Sequence, residues 1–160
     1  AKFPERQVEQ LLLQTGKWQM SYLETGTIYG TFMNAKMSFI AYPFFLPSGQ
    51  YIKSGYLQLL PAADIAAMKI VAISQRGRKR DFIDLYWYCT EREPLYAVVA
   101  RAVKQYPGQE KNTHHIIKSL TYFADAENDP LPKLYFPAKW PAIKTYFEQK
   151  AKELVKHFYL

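Results

Sequence analysis

The spacing of apolar and polar positions changes near residue 61. Before it, a period of two dominates. Residues 18–24 (WQMSYLE) alternate, with Trp18, Met20 and Tyr22 on one face, and predict a strand. Thr25-Gly26 reads as a turn. Residues 27–33 and 37–42 predict two more strands, joined at Asn34-Ala35-Lys36. This is the pattern of a small antiparallel meander. Residues 42–49 (YPFFLPSG) leave the sheet, because two prolines stop regular pairing. Residues 56–60 (YLQLL) predict one further short strand. A helix precedes the sheet: Pro4 suits its first turn, Val8, Leu11 and Leu12 give it an apolar face, and Gly16 stops it after Thr15.

Beyond Pro61 the period is helical. "AADIAAMKIVAIS" predicts a strong helix reaching about Arg76, and a second helix runs from Asp81 to about Thr90. A third covers 94–105, ended by Pro107-Gly108, and a shorter one covers 112–120. "ADAENDPLPKLYFP" reads as an acidic, then proline-rich loop, and a last helix runs from Trp140 to Phe158. No internal repeat or low-complexity tract interrupts this order. A β-rich part over 1–61 followed by a helical part over 62–160 predicts the α+β class, packed as one compact unit.

Composition narrows the choice. At 160 residues, with 49% hydrophobic and 16% aromatic residues, the chain has enough apolar material for a real core, which excludes an intrinsically disordered protein. Pro, Lys or Gly breaks every apolar run well short of the ~18 residues of a membrane span. Cys89 is the one cysteine, so no internal disulfide forms, and a buried thiol suits a reducing cytoplasm. The formal net charge of +7 favours anionic partners such as nucleotide phosphates, nucleic acid or an acidic protein.

The chemistry concentrates in "KIVAISQRGRKRDFIDLY", residues 69–86. Lys69 is the only charge between Asp64 and Arg76, and it shares a helix side with Ile65, Met68, Ala72, Ile73 and Arg76. Either its stem packs and its ammonium reaches water, or the ammonium meets a phosphate in a cleft. Arg76, Arg78, Lys79 and Arg80 put four cations in five positions. They form either a solvated turn, with Gly77 ending a helix, or a rim that grips phosphate. Asp81 and Asp84 lie three apart on one helix face, opposite a stripe of Phe82, Leu85, Tyr86 and Cys89. Asp81 can cap its helix, or one of the pair can orient a substrate or metal-bound phosphate. His114 and His115 are adjacent and point apart, with no partner spaced for a metal set. Tyr86, Trp87 and Tyr88 are consecutive and face different ways, as core and rim rather than a stacking platform.

The stretch "LLPAADIAAMKIVAISQRGRKRDFIDLYWY" resembles the AbiEii-type nucleotidyltransferase family. These bacterial proteins include toxins of type IV toxin–antitoxin and phage abortive-infection systems. The shared pattern is an apolar strand, then Asp64 to Lys69, a basic stretch, and Arg80 to Tyr86. "KMSFIAYPFFL" and "KSLTYFADAENDPLPKL" are similar to family segments too, so the resemblance runs over nearly the whole chain. It implies a nucleotidyltransferase-like fold, a small mixed sheet with helices followed by a C-terminal helical part. It also implies NTP binding with Mg²⁺ and transfer of a nucleotidyl group to an acceptor such as tRNA, with a DNA-binding antitoxin as partner. Lys69 is then expected at the triphosphate and Asp81 as an active-site carboxylate. Asp84, Arg76 and the basic turn of Arg78, Lys79 and Arg80 are expected as substrate-binding support.

One departure stands out. The superfamily carries an early Gly-Ser motif and an Asp-x-Asp pair that hold the metal, and neither occurs in this sequence. The position comparable to a third carboxylate, near Ser38, holds no acid. The expectation is that the chain begins just after those motifs, contains no metal site, and is inactive by itself. The alternative reading is a non-catalytic basic α+β domain that grips RNA or a protein.

Overall fold

A computed structural model describes residues 3–108 and 112–159, which form two compact units meeting in sequence at Phe44 and Phe45. The class is α+β, as the residue pattern predicts.

The first unit holds helix α1 (Glu5–Gln14) and strands β1 (Trp18–Glu24), β2 (Thr27–Phe32) and β3 (Ala35–Ile40), paired antiparallel in the order β1-β2-β3. Gly26, at φ +76°, closes the first turn. The second turn is Met33-Asn34, at φ +49° and +66°, a left-handed pair of the kind that matches the twist of a two-residue hairpin. Ala35 and Lys36 therefore enter β3, paired with Phe32 and Thr31, and do not form the turn. A bulge between Met20 and Tyr22 breaks the strict alternation of β1. At Gly30 the Trp18 ring lies so close that a Cβ would sit 2.3 Å from it, so only glycine fits.

In the second unit, β4 (Ile52–Ser54) and β5 (Leu57–Leu59) form an antiparallel hairpin turned at Gly55. The sequence pattern shows only its second strand. Helices α2 (Ala62–Arg76), α3 (Lys79–Glu91), α4 (Leu95–Gln105), α5 (Thr113–Ser119), α6 (Ala124–Glu127) and α7 (Trp140–Tyr159) follow. The short α6 lies inside the segment expected to be loop. Helix α3 begins two residues before Asp81, so Arg78 occupies the cap position in extended conformation and Asp81 falls in the first turn.

The core gathers around Phe82, which is fully buried with the rings of Phe123, Phe147 and Trp140 at centroid distances of 5.2, 5.4 and 5.9 Å. Ala66 and Ala67 on α2 are small and buried, which lets α3 and α4 pack closely against it. Among the described residues, no helix is long and apolar enough to cross a membrane.

Asp64 ties the start of α2 to its surroundings. Its carboxylate is fully buried and accepts hydrogen bonds from the Ser48 N–H (2.9 Å), the Ser48 hydroxyl (3.0 Å) and the Gln105 amide (2.7 Å). The Leu46 N–H donates to the Gln105 carbonyl at 2.8 Å. The extended segment after Phe45 is thus clamped to α2 and α4. Asp64→Ala strands three donors, and we expect it to lower stability by about 3 kcal/mol in urea denaturation, against under about 1 kcal/mol for Ser48→Ala.

Candidate functional site

Two helices joined by a two-residue link build the site. Alanine-rich α2 ends at Gly77, whose left-handed backbone (φ 47°, ψ 44°) lets its N–H close on the Ile73 carbonyl. The chain reverses through Arg78, and α3 returns alongside α2. This hairpin sets the last turns of α2 beside the first turns of α3.

Lys69 and Asp81 meet there. The Lys69 ammonium donates to Asp81 Oδ1 at 2.8 Å and contacts Asp84 Oδ2 at 2.6 Å. Asp81 and Asp84 share a face, as their spacing predicts, but their surroundings differ. The Asp81 side chain is 2% exposed and that of Asp84 is 56% exposed. Arg76, two turns along α2 from Lys69, brings its Nε to 3.7 Å from Asp81 Oδ2. That oxygen is buried and makes no hydrogen bond. Asp81 is therefore not a side-chain cap: its carboxylate turns to the Lys69 ammonium.

Burial acts to lower the Lys69 pKa. Hydrogen bonds to Asp81 and Asp84 outweigh it and hold the ammonium above the usual lysine range.

The basic turn divides between two surroundings. Arg78 pairs with Asp129 at 2.9 Å. Lys79 is buried: its N–H donates to the Asp129 carboxylate at 3.0 Å, and its ammonium donates to the carbonyls of Glu127 and Asp129. The same ammonium lies 5.4 Å from the Trp140 ring centroid. Arg80 is exposed. The structure thus brings Lys69, Arg76, Asp81 and Asp84 together and places Arg78 and Lys79 against the 127–129 segment.

A cavity of about 530 Å³ opens beside Lys69 and Asp84. Ala62, Ile65 and Ala66 form one wall, Trp87 and Tyr88 a second, and Tyr135 and Phe136 a third. Periodicity alone could have grouped most of these residues. Ile65 and Lys69 are four apart, and Asp84, Trp87 and Tyr88 share a helix face. Tyr135 and Phe136 lie in a proline-rich segment without a period, so no sequence signal marks them. The second wall is braced from behind: the Tyr88 hydroxyl donates to Glu93 at 2.7 Å, and Arg101 grips Glu93 with both terminal nitrogens. Burial and the Glu93 contact push the Tyr88 hydroxyl up to about 12.

Burial pushes the Cys89 thiol up to about 12, which disfavours the thiolate form. His115 bonds the Ser74 carbonyl at 3.1 Å, and His114 lies against the Tyr159 ring.

The carboxylates of this site do not suit Mg²⁺. Asp81 and Asp84 each commit an oxygen to the Lys69 ammonium, and the Arg76 guanidinium stands at the other Asp81 oxygen, so the pair is already occupied by cations. Among the described residues, no group of three or more His, Cys, Asp or Glu side chains is placed to hold a metal ion.

The burial difference gives a test. We expect Asp81→Ala, which leaves Lys69 without its buried partner, to cost about 3 kcal/mol in urea denaturation, and Asp84→Ala under about 1 kcal/mol. The folded pKa of Lys69 is raised, so its contribution is fully present below the unfolded value near 10.5 and is lost as pH climbs through the folded value. The stability gap between wild type and Lys69→Met therefore narrows at alkaline pH.

Comparison with known proteins agrees with the motif. The sequence model of the family described as nucleotidyl transferase AbiEii toxin, type IV TA system, matches residues 13–156. A protein of Aquifex aeolicus (strain VF5), described as uncharacterized, is 34% identical over 96 residues, which are 59% of this chain and 44% of that protein. The match thus spans less than half the length of that relative. No solved structure matches the chain. With the family match running from the end of α1 almost to the end of α7, across the α2–α3 hairpin and its Lys69–Asp81 pair, the chain belongs to the AbiEii nucleotidyltransferase toxin family.

Proposed function

We propose that this chain carries the phosphate-binding lysine of an NTP site, and that the full protein transfers a nucleotidyl group to an acceptor such as tRNA in the bacterial cytoplasm. The observation behind this reading is the Lys69 ammonium, fixed between two carboxylates at the wall of a cavity. An ammonium has three donors, and Asp81 and Asp84 take two of them. The third is available to a phosphate oxygen. Asp84 is exposed, so an arriving phosphate can replace it on Lys69 at small cost, whereas buried Asp81 stays. Asp81 is then the positioning residue and Lys69 the group that touches substrate. Arg76 adds a second cation on the same side.

Nucleotidyl transfer joins an acceptor oxygen to the α-phosphorus and releases pyrophosphate. Negative charge builds on the leaving phosphates, and a fixed ammonium offsets it without reorganising. The Gly-Ser and Asp-x-Asp residues that hold the metal in the superfamily are not in this sequence. We therefore propose that this chain alone binds nucleotide without transferring it, and that toxicity is countered by a separate DNA-binding antitoxin.

Calorimetric titration with each of the four NTPs in Mg²⁺ buffer tests the reading. We expect at least one to bind. Lys69→Ala, checked for folding by its thermal melt, should weaken that binding about 10-fold or more, the equivalent of one charge-assisted hydrogen bond. The reading fails if no NTP binds, or if Lys69→Ala binds as wild type does.

A further inference from the structure

The cavity beside Lys69 is larger than a phosphate contact requires, and its walls are of the wrong chemistry for one. It holds about 530 Å³ between Ile65, Trp87, Tyr88, Tyr135 and Phe136, and its charged groups, Lys69 and Asp84, belong to the ion-pair cluster. Ala62 and Ala66 make the α2 wall short and leave the space open. Ile65, one turn before Lys69, is 45% exposed, high for an isoleucine at the wall of a cavity.

Tyr135 is the most telling residue. It is 88% exposed, in a segment where Pro130, Pro132 and Pro137 limit the backbone. A ring held open to water beside a cavity forgoes the stabilisation that burial would bring. Lys133 lies 5.3 Å from its centroid, and Arg92 lies 5.9 Å from the Trp87 centroid. Each of the two rings thus has a cation against it. A flat heterocycle suits such walls, because stacking on aromatic faces is favourable and tolerant of ring identity.

We infer that this cavity is the subsite for the nucleobase of the NTP, with the ring stacked against Trp87 and Tyr135 and the phosphates directed to Lys69. The inference rests on the NTP reading above and adds where the base lies and what holds it. A cavity that is apolar at one end and charged at the other matches a nucleotide's own division into heterocycle and phosphates. Stacking supplies affinity, and Asp84 at the boundary offers its second carboxylate oxygen to a ribose hydroxyl.

Inorganic tripolyphosphate separates the two parts, because it presents phosphates without a base. The experiment compares its affinity with that of the tightest-binding NTP, both in Mg²⁺ buffer, for wild type, Trp87→Ala, Tyr135→Ser and Lys69→Ala. Tyr135 is 88% exposed, so Tyr135→Ser keeps the test open if Trp87→Ala folds poorly. We expect Trp87→Ala and Tyr135→Ser each to weaken the NTP about 10-fold, the usual cost of losing one stacking ring, and to leave tripolyphosphate within about twofold. Lys69→Ala should weaken both. If the aromatic variants bind the NTP as wild type does while Lys69→Ala weakens both ligands, the base subsite is wrong and the phosphate reading stands. If neither ligand binds wild type, both readings fall. If the aromatic variants weaken both ligands equally, the rings act on the phosphate end and the subsite is again wrong.

Discussion

A carboxylate inside a protein needs a cation or several donors, and Asp81 has Lys69. Its side chain is almost wholly excluded from water at the first turn of α3, where α3 turns back along α2. Removing Lys69 would leave the buried Asp81 charge in surroundings of low polarity, a far larger cost than losing a surface pair. The pair therefore fixes α3 against α2. It also fixes the direction of the ammonium, because two of its three donors are spoken for. The cavity, the exposed Asp84 and the nearby Arg76 are all arranged around that one point.

The remaining cations of the turn serve a different end. Lys79 is buried under Trp140 with its donors on main-chain carbonyls, and Arg78 holds Asp129. Glu127 in turn receives the Trp140 indole N–H and the Lys144 ammonium. Four like charges in five residues are tolerated because the acidic 124–129 segment meets two of them, while Arg76 faces Asp81 and Arg80 faces water. The run is thus neither a uniform phosphate rim nor a uniformly solvated turn.

Much of the fold was legible because local rules were strong. Pro61 and Gly77 bound the alanine-rich α2, and Pro4 and Gly16 bound α1. The departures have local causes as well. Met33 and Asn34 adopt left-handed backbone, which shortens the turn and pulls Ala35 and Lys36 into β3. Helix α3 starts early because Asp129, about fifty residues away in sequence, accepts the Lys79 N–H. Helix α6 and the strand β4 are too short for a period to show. In the site, the helical spacing of Lys69 and Arg76 and that of Asp81 and Asp84 placed each pair on one face. It could not say that Asp81 is buried and Asp84 exposed.

By itself, the sequence determined the α+β class, the α2–turn–α3 hairpin and the family motif running through it. Each of these rests on neighbours within a few residues of one another, where propensity, capping and periodicity act. Tertiary structure alone decided which carboxylate lost its water, which lysine was taken up by main-chain carbonyls, and that Tyr135 and Phe136 wall the cavity beside Lys69. The Lys69–Asp81 contact spans twelve positions, the Lys79 contacts about fifty, and the Tyr135 wall more than sixty. Burial is a property of the whole packed unit, and no local pattern encodes it.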